Sequence, residues 1–174
     1  MTVTVTYGGA LYASLPAGQL GLAVTPDHLE DLITLGREIK WALNDSEHAV
    51  HPTDPRLNGI YGTIWFDELG DRPGQVHQRN VAIFADGEVD RSPCGSGTCA
   101  RLAVLAADGR LPADTVLRHD SIVGSTFTGR VLQLTEVGGR PAVVPQVTGM
   151  AYRTGSHVFT VDPHDPLVPG FVLR

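Results

Sequence analysis

DRSPCGSGTCARLAVLAADG, residues 90–109, decides how the rest of the chain is read. The chain has two cysteines. One of them, Cys94, stands between a proline and a glycine-rich turn, directly ahead of an apolar segment. The spacing predicts a helix from about Gly97 to Asp108, stopped by Gly109. Ala100, Leu102, Ala103, Val104, Leu105, Ala106 and Ala107 leave it almost no polar face, and a helix apolar all round is a buried helix. In a strand-rich chain its natural place is inside a sheet that curls around it. The helix N-terminus then emerges from the core with Cys94 at its mouth.

The flanking sequence supplies that sheet. VTVTYGGALYAS alternates with period two and reads as a strand, broken by a bend at Gly8-Gly9. QLGLAV reads as a second strand. Residues 26–44 form an amphipathic helix with Thr25 as cap, Pro26 in its first position, and Asp27, Glu30 and Asp31 set against the dipole. Its stripe is Leu29, Leu32, Ile33, Gly36, Ile39 and Leu43. GIYGTIWFD and VHQRNVAIFA read as strands, the second followed by a hairpin signal at Asp86-Gly87. DTVLRHDSIVG, STFTGRVLQLTEV, RPAVVPQVTG, SHVFTV and GFVL follow as strands, with a turn at Gly138-Gly139. The expected class is α+β, one domain over residues 1–174, with many short strands and two main helices.

Composition narrows the function. Hydrophobic residues make up 42% and charged residues 18% of 174 residues, enough for a core and too little charge for disorder. The net charge of −6 comes with no basic block, which argues against nucleic acid and anionic membrane as partners. The first residues carry neither a positive n-region nor an apolar h-region, and no apolar run approaches the ~20 residues of a membrane span. A cytoplasmic location with reduced thiols is the expectation. Cys94 and Cys99 lack the CxxC spacing of a metal or redox pair.

At a helix N-terminus the unpaired amides and the helix dipole both favour thiolate over thiol, so Cys94 is expected to be a reactive, readily ionised cysteine. Gly95, Ser96, Gly97 and Thr98 add amides with little side-chain bulk, a turn able to cradle a carboxylate. A base beside a carboxylate clamp suits removal of a proton α to that carboxylate. The plainer reading is an inert cysteine beside a helix cap. The turn lacks the lysine of a P-loop and the spacing of a dinucleotide-binding turn.

DRSPCGSGTCA closely resembles the second cysteine motif of the proline racemase family, which includes proline racemases, 4-hydroxyproline 2-epimerases and trans-3-hydroxyproline dehydratases. YGGALYA, RNVAIFADGEVDRSP, SIVGSTFTGRV, PQVTGMAYRTG and DPHDPLVPGFVL resemble family segments in the same order. The resemblance implies the diaminopimelate epimerase fold, two similar lobes that each wrap a sheet around a helix. It implies catalysis without a cofactor, by two cysteines on opposite faces of the substrate Cα. Cys94 matches the second of these, Asp90 the acid that contacts the ring nitrogen, and Gly95 and Ser96 the carboxylate-binding turn. The first cysteine motif, MCGHA-like, belongs to a half that this sequence does not contain. The chain is therefore expected to be the second lobe, completed by a first lobe or by a second copy of itself. The cysteine at position 94 favours a racemase or epimerase of proline or hydroxyproline, since family dehydratases tend to carry threonine there. The alternatives are that dehydratase and a non-catalytic binding lobe.

Other candidates have plain readings beside them. Asp90 can cap its own turn. Phe84, ahead of the hairpin, can wall a substrate ring or pack in the core. Cys99, on the same turn and helix as Cys94, cannot reach the opposite face of a substrate and reads as a core residue. His48 and His51 have a spacing that suits a metal but no third ligand, and no metal site is expected. His77, His119 and His157 read as structural histidines in strands, and Arg91 as a local ion-pair partner.

Overall fold

The computed structural model describes residues 1–171. Eight strands form a single sheet: β1 Thr4–Tyr7, β2 Leu11–Pro16, β3 Ile60–Glu68, β4 Gln75–Phe84, β5 Glu88–Val89, β6 Val116–Ser121, β7 Thr126–Val137 and β8 Arg140–Thr148. Their order is β1-β2-β3-β4-β6-β7-β8, with β5 paired to β4. Two helices, α1 Leu29–Asn44 and α2 Gly95–Ala107, complete the framework.

Topology explains why the helices lie on opposite faces. β2 and β3 are parallel and joined through α1, and β4 and β6 are parallel and joined through α2. Between these units the chain reverses, because β3 and β4 are antiparallel. Right-handed crossovers are the rule for parallel connections. The same hand applied to strands of opposite direction puts one helix on each face.

Strand alternation divides the core accordingly. Leu11, Ala13 and Leu15 of β2, Trp65 of β3, and Val81 and Ile83 of β4 join Leu32 and Ile39 of α1 in one cluster. Tyr12, Ile64 and Ala82, from the other face of the same strands, join Cys94 and Ala100. Farther along α2, Leu102 and Leu105 meet Val76 and Leu117. The sheet curls far enough that β1 and β2 at one end and β7 and β8 at the other all touch α2.

The helix inside the sheet departs from its sequence reading in two ways. It is not buried all round: Cys99, Ala103, Val104 and Ala106 are half-buried, and Ala107 is exposed. Cys99 and Ala103 look into an open cavity of about 870 Å³ between β1 and β8. The buried face, in turn, includes a cation. Arg101 is 3% exposed, donates to Gln78 Oε1 and Ser14 Oγ, and stacks 3.8 Å from the Phe66 ring centre.

Two strand expectations fail, and a third lies half outside the described residues. QLGLAV is a 3-10 turn over Ala17–Leu20 followed by a left-handed Gly21. The Val24 amide donates to the Asp67 carboxylate rather than to a ladder. SHVFTV lies in a segment, residues 149–171, that forms no strand and is exposed throughout. A strand needs a neighbour, and no edge among the described residues pairs with it. His157 therefore sits in irregular chain, not in a strand. The first residues of GFVL are irregular as well, and the rest lie outside the described residues. Residues 26–44 are helical as expected, entered through a 3-10 turn at Pro26–His28. Thr25 makes no side-chain cap bond there. His28 Nδ1 instead accepts from the Ala23 amide at 3.0 Å.

Candidate functional site

The loop that carries Cys94 is fixed from several sides. Asp90 Oδ1 accepts from the amide and hydroxyl of Ser92 at 2.8 and 2.9 Å. Ser92 Oγ accepts from the Cys94 amide at 3.1 Å. The Pro93 carbonyl accepts from Asn80 Nδ2 at 2.9 Å and from Thr98 Oγ1 at 3.2 Å. Held this way, Cys94 adopts φ +64°, ψ 122°. A non-glycine residue there stores about 1–3 kcal/mol of strain, of the kind that clusters at working sites.

Cys94 itself caps α2. Its Sγ accepts from the Gly97 amide at 3.4 Å, as a serine or aspartate cap would. A side chain at 97 would stand 3.2 Å from that sulfur and 3.0 Å from Ile64, so glycine is what lets the first turn close over the thiol. The Thr98 amide is used by the Cys94 carbonyl. Of the four amides expected to serve an anion, those of Gly97 and Thr98 are thus committed, and those of Gly95 and Ser96 make no hydrogen bond among the described residues. Space over Gly95 is open: an added Cβ would meet nothing within 4 Å.

Aromatic rings continue from the thiol. Tyr12, 1% exposed, places its hydroxyl 3.5 Å from Cys94 Sγ and 2.7 Å from Ser96 Oγ. Tyr61 meets Tyr12 edge-on at 5.6 Å and stacks on Phe84 at 6.0 Å. Phe84 is half-buried, and Tyr61 is exposed beside it. The turn after Phe84 is tied to α1, through Lys40 Nζ on the Ala85 carbonyl at 2.7 Å and Arg37 on Asp86 at 2.9 Å. Burial pushes the Lys40 ammonium below its ordinary range despite Asp86 and Glu88 nearby.

Beneath the loop, Thr98 Oγ1 also bonds His119 Nδ1 at 2.9 Å. Burial, reinforced by Arg101, pushes His119 down to about 3, so the ring is neutral. Its Nε2 and Asn80 Oδ1 are buried without partners among the described residues. Burial also pushes the Cys99 thiol up, and Cys94 and Cys99 are both free thiols.

Cys94, Asp90, Gly95 and Ser96 share one loop, and Phe84 reaches it through Tyr61 and Tyr12. Asp90 fills the capping role through Oδ1. Its Oδ2 makes no hydrogen bond among the described residues. His48 and His51 belong to no group of three or more metal-ligating side chains among the described residues. His51 Nδ1 accepts from the Asp54 amide at 3.1 Å. His77 pairs with Asp120 at 2.7 Å, and the Arg91 carbonyl accepts from Ser125 Oγ. Among the described residues no helix is long and apolar enough to cross a membrane.

Tyr12, Tyr61, Asn80 and Arg101 were not singled out by sequence reasoning. Tyr12 was findable: in GGALYAS it has the opposite parity to the outer-face residues Leu11 and Ala13, which aims it at α2.

Comparison with known proteins sets the loop in context. A trans-3-hydroxy-L-proline dehydratase from Colwellia psychrerythraea is 43% identical over 171 residues, 98% of this chain and 47% of that protein. A 3-hydroxyproline 2-epimerase from Burkholderia multivorans is 44% identical over 174 residues, 100% of this chain and 51% of that protein. The chain thus spans about half the length of the curated relatives it matches. Among solved structures, a hydroxyproline epimerase from Agrobacterium vitis with bound trans-4-hydroxy-L-proline superposes with TM-score 0.82 at 37% identity, covering 98% of this chain and 48% of the other. A probable proline racemase from Agrobacterium radiobacter with bound carbonate gives 0.84 at 34%, covering 98% and 49%. The family described as proline racemase matches residues 1–172, and with a curled sheet around α2 and the DRSPCGSGTCA loop at its mouth, this chain belongs to that family.

Proposed function

We propose that this chain is one lobe of a cofactor-independent acid–base catalyst that inverts Cα of proline or a hydroxyproline, with Cys94 as the proton-transferring residue on one face. The observation that carries this reading is a strained, multiply anchored cysteine at a helix N-terminus, beside two uncommitted amides. The thiolate takes the Cα proton, and the electron pair left on Cα delocalises into the carboxylate. The amides of Gly95 and Ser96 hold that carboxylate as its charge grows. Asp90 Oδ2 receives the ring N–H, and Phe84 with Tyr61 walls the ring. A thiol on the other face returns a proton, and that group comes from a first lobe or from a second copy of this chain. About half of the relatives' length has no counterpart in this chain, which is why inversion by the chain alone is expected to be negligible.

A second reading is elimination from trans-3-hydroxyproline, favoured by the Colwellia relative. The same α-carbanion would expel the β-hydroxyl instead of being reprotonated. A third is a lobe that binds but does not catalyse.

The test is proton NMR in D2O with L-proline, trans-4-hydroxy-L-proline and trans-3-hydroxy-L-proline. The proposal expects slow α-proton exchange with one of them, lost in Cys94→Ser. Loss of the β-hydroxyl would favour elimination. Exchange unchanged in Cys94→Ser would remove Cys94 from the mechanism, and no exchange even with a first lobe supplied would leave the binding lobe.

A further inference from the structure

We propose that Tyr12 is a positioning residue for Cys94: its hydroxyl, aligned by Ser96, donates to the sulfur when it is a thiolate and accepts from it when it is a thiol. The inference rests on the reading of Cys94 as a proton carrier.

The geometry is a closed triangle. Tyr12 Oη lies 2.7 Å from Ser96 Oγ and 3.5 Å from Cys94 Sγ, and Ser96 Oγ lies 3.8 Å from the same sulfur. A buried phenol must find a partner for its hydroxyl, and Cys94 and Ser96 are the partners this one has. Its ring is fixed by the sheet, since Tyr12 is in register with Thr6 of β1 and Gly62 of β3 and meets Tyr61 edge-on.

Counting hydrogens gives two arrangements on one set of heavy atoms. With a thiolate, which only accepts, the Gly97 amide and the Tyr12 hydroxyl both donate to sulfur, and Ser96 donates to the phenol oxygen. With a thiol, S–H donates to the phenol oxygen and the Tyr12 hydroxyl turns to Ser96. Only hydroxyl rotors move. A residue that must serve as base in one direction and acid in the other needs both states supported, and this pair supports both. Tyr12 itself stays protonated: burial, then its bond to Cys94, pushes the phenol far above its ordinary range.

The other titratable groups around the sulfur do less. Cys99 is on the same helix, Tyr61 stands behind Tyr12, and Asp90 acts through Ser92 on the Cys94 backbone. His119 bonds Thr98, and Arg101 lies farther along α2, bonded to Gln78 and Ser14.

The test is the pH profile of iodoacetamide alkylation at Cys94, followed by mass spectrometry with Cys99 as internal reference. Tyr12→Phe keeps the ring and removes only the hydroxyl. It should slow Cys94 about tenfold or more below neutral pH, the size expected for a hydrogen bond to a charged group, and leave the rate at pH 10 within about twofold. Ser96→Ala should move the profile the same way by less, and Ser96→Thr should keep it near wild type. Should Tyr12→Phe fail to fold, the Ser96 pair still decides the matter. Superimposable profiles, or an equal loss at every pH as from blocked access, would overturn the proposal. Failure of the exchange assay, by contrast, would remove the catalytic reading while leaving this alkylation result intact.

Discussion

A neutral imidazole buried under the Cys94 loop has a consequence that titration can read. His119 is fully buried in β6, bonded to Thr98 and in the field of Arg101, and it is held at about 3 in the folded chain. In the unfolded chain it titrates at roughly 6.5. Between these values the unfolded state binds the extra proton, so stability is full above about pH 6.5 and is lost as pH falls toward 3. The slope from this residue is about 1.4 kcal/mol per pH unit. Glu68 and Asp120 are also held low. Burial opposes this in each, and it is outweighed by Arg110 and Gln78 for Glu68 and by Thr126, His77 and Arg118 for Asp120. Their contribution falls away at lower pH, within the carboxylate range. Urea unfolding of wild type and His119→Asn from pH 6.5 to 4.5 should show the slope flattened in the variant, whatever its absolute stability. Parallel slopes would mean that His119 takes up its proton without unfolding.

Among the elements, the β1–β2 bend and the first turn of α2 depend on each other. A Cβ at Gly8 would stand 2.3 Å from the Ser96 carbonyl oxygen and 2.7 Å from the Ala100 amide, both backbone atoms. Gly8→Ala must therefore push the bend off the helix. It should cost about 2 kcal/mol or more in urea unfolding and, as the Tyr12 hydroxyl moves away, slow alkylation of Cys94 below neutral pH. Wild-type stability in this variant would mean that the bend is not seated as described. The Gly8-Gly9 break was legible as an interruption of period two, but its reason was not, because the partner lies 88 residues on, at Ser96. The same limit explains the other discrepancies. Strands covered on both faces read as apolar runs whichever helix lies above them. QLGLAV had the hydrophobicity of a strand, and Gly21 turned it. Nothing in the sequence marked Arg101 as buried, and only the side chains of Ser14, Gln78 and Phe66, from three strands, make its burial tolerable. Cys94, Asp90, Gly95 and Ser96 were legible together because they are neighbours in sequence. Tyr12 joins them only through the fold.

For the whole molecule, the telling feature is what remains uncovered. Residues 149–171 carry Tyr152, Val158, Phe159, Val161 and Phe171 fully or largely exposed, with Val158 and Phe159 above 90%. Exposed apolar side chains at this density mark a surface meant to be covered. Self-association is the expected result, with a two-fold pair as the simplest closed arrangement. Size-exclusion chromatography with light scattering should give a mass above 18.6 kDa that rises with concentration, and truncation after Met150 should reduce it. A strict monomer at high concentration would count against a homodimeric completion of the site.

The opposed crossovers have one further consequence, in the dynamics of the fold. β3 and β4 are roofed by α1 on one side and α2 on the other, so their amides should exchange with solvent only through global unfolding. The far half of the β7–β8 hairpin, from Gln133 to Val137, is exposed on both faces and can fray alone. The Cys94 loop is pinned by Asn80 on β4, in the slow-exchanging centre, and not by the hairpin. Breathing at the open edge of the sheet therefore leaves the thiol in register, and the site keeps its geometry until the whole fold lets go.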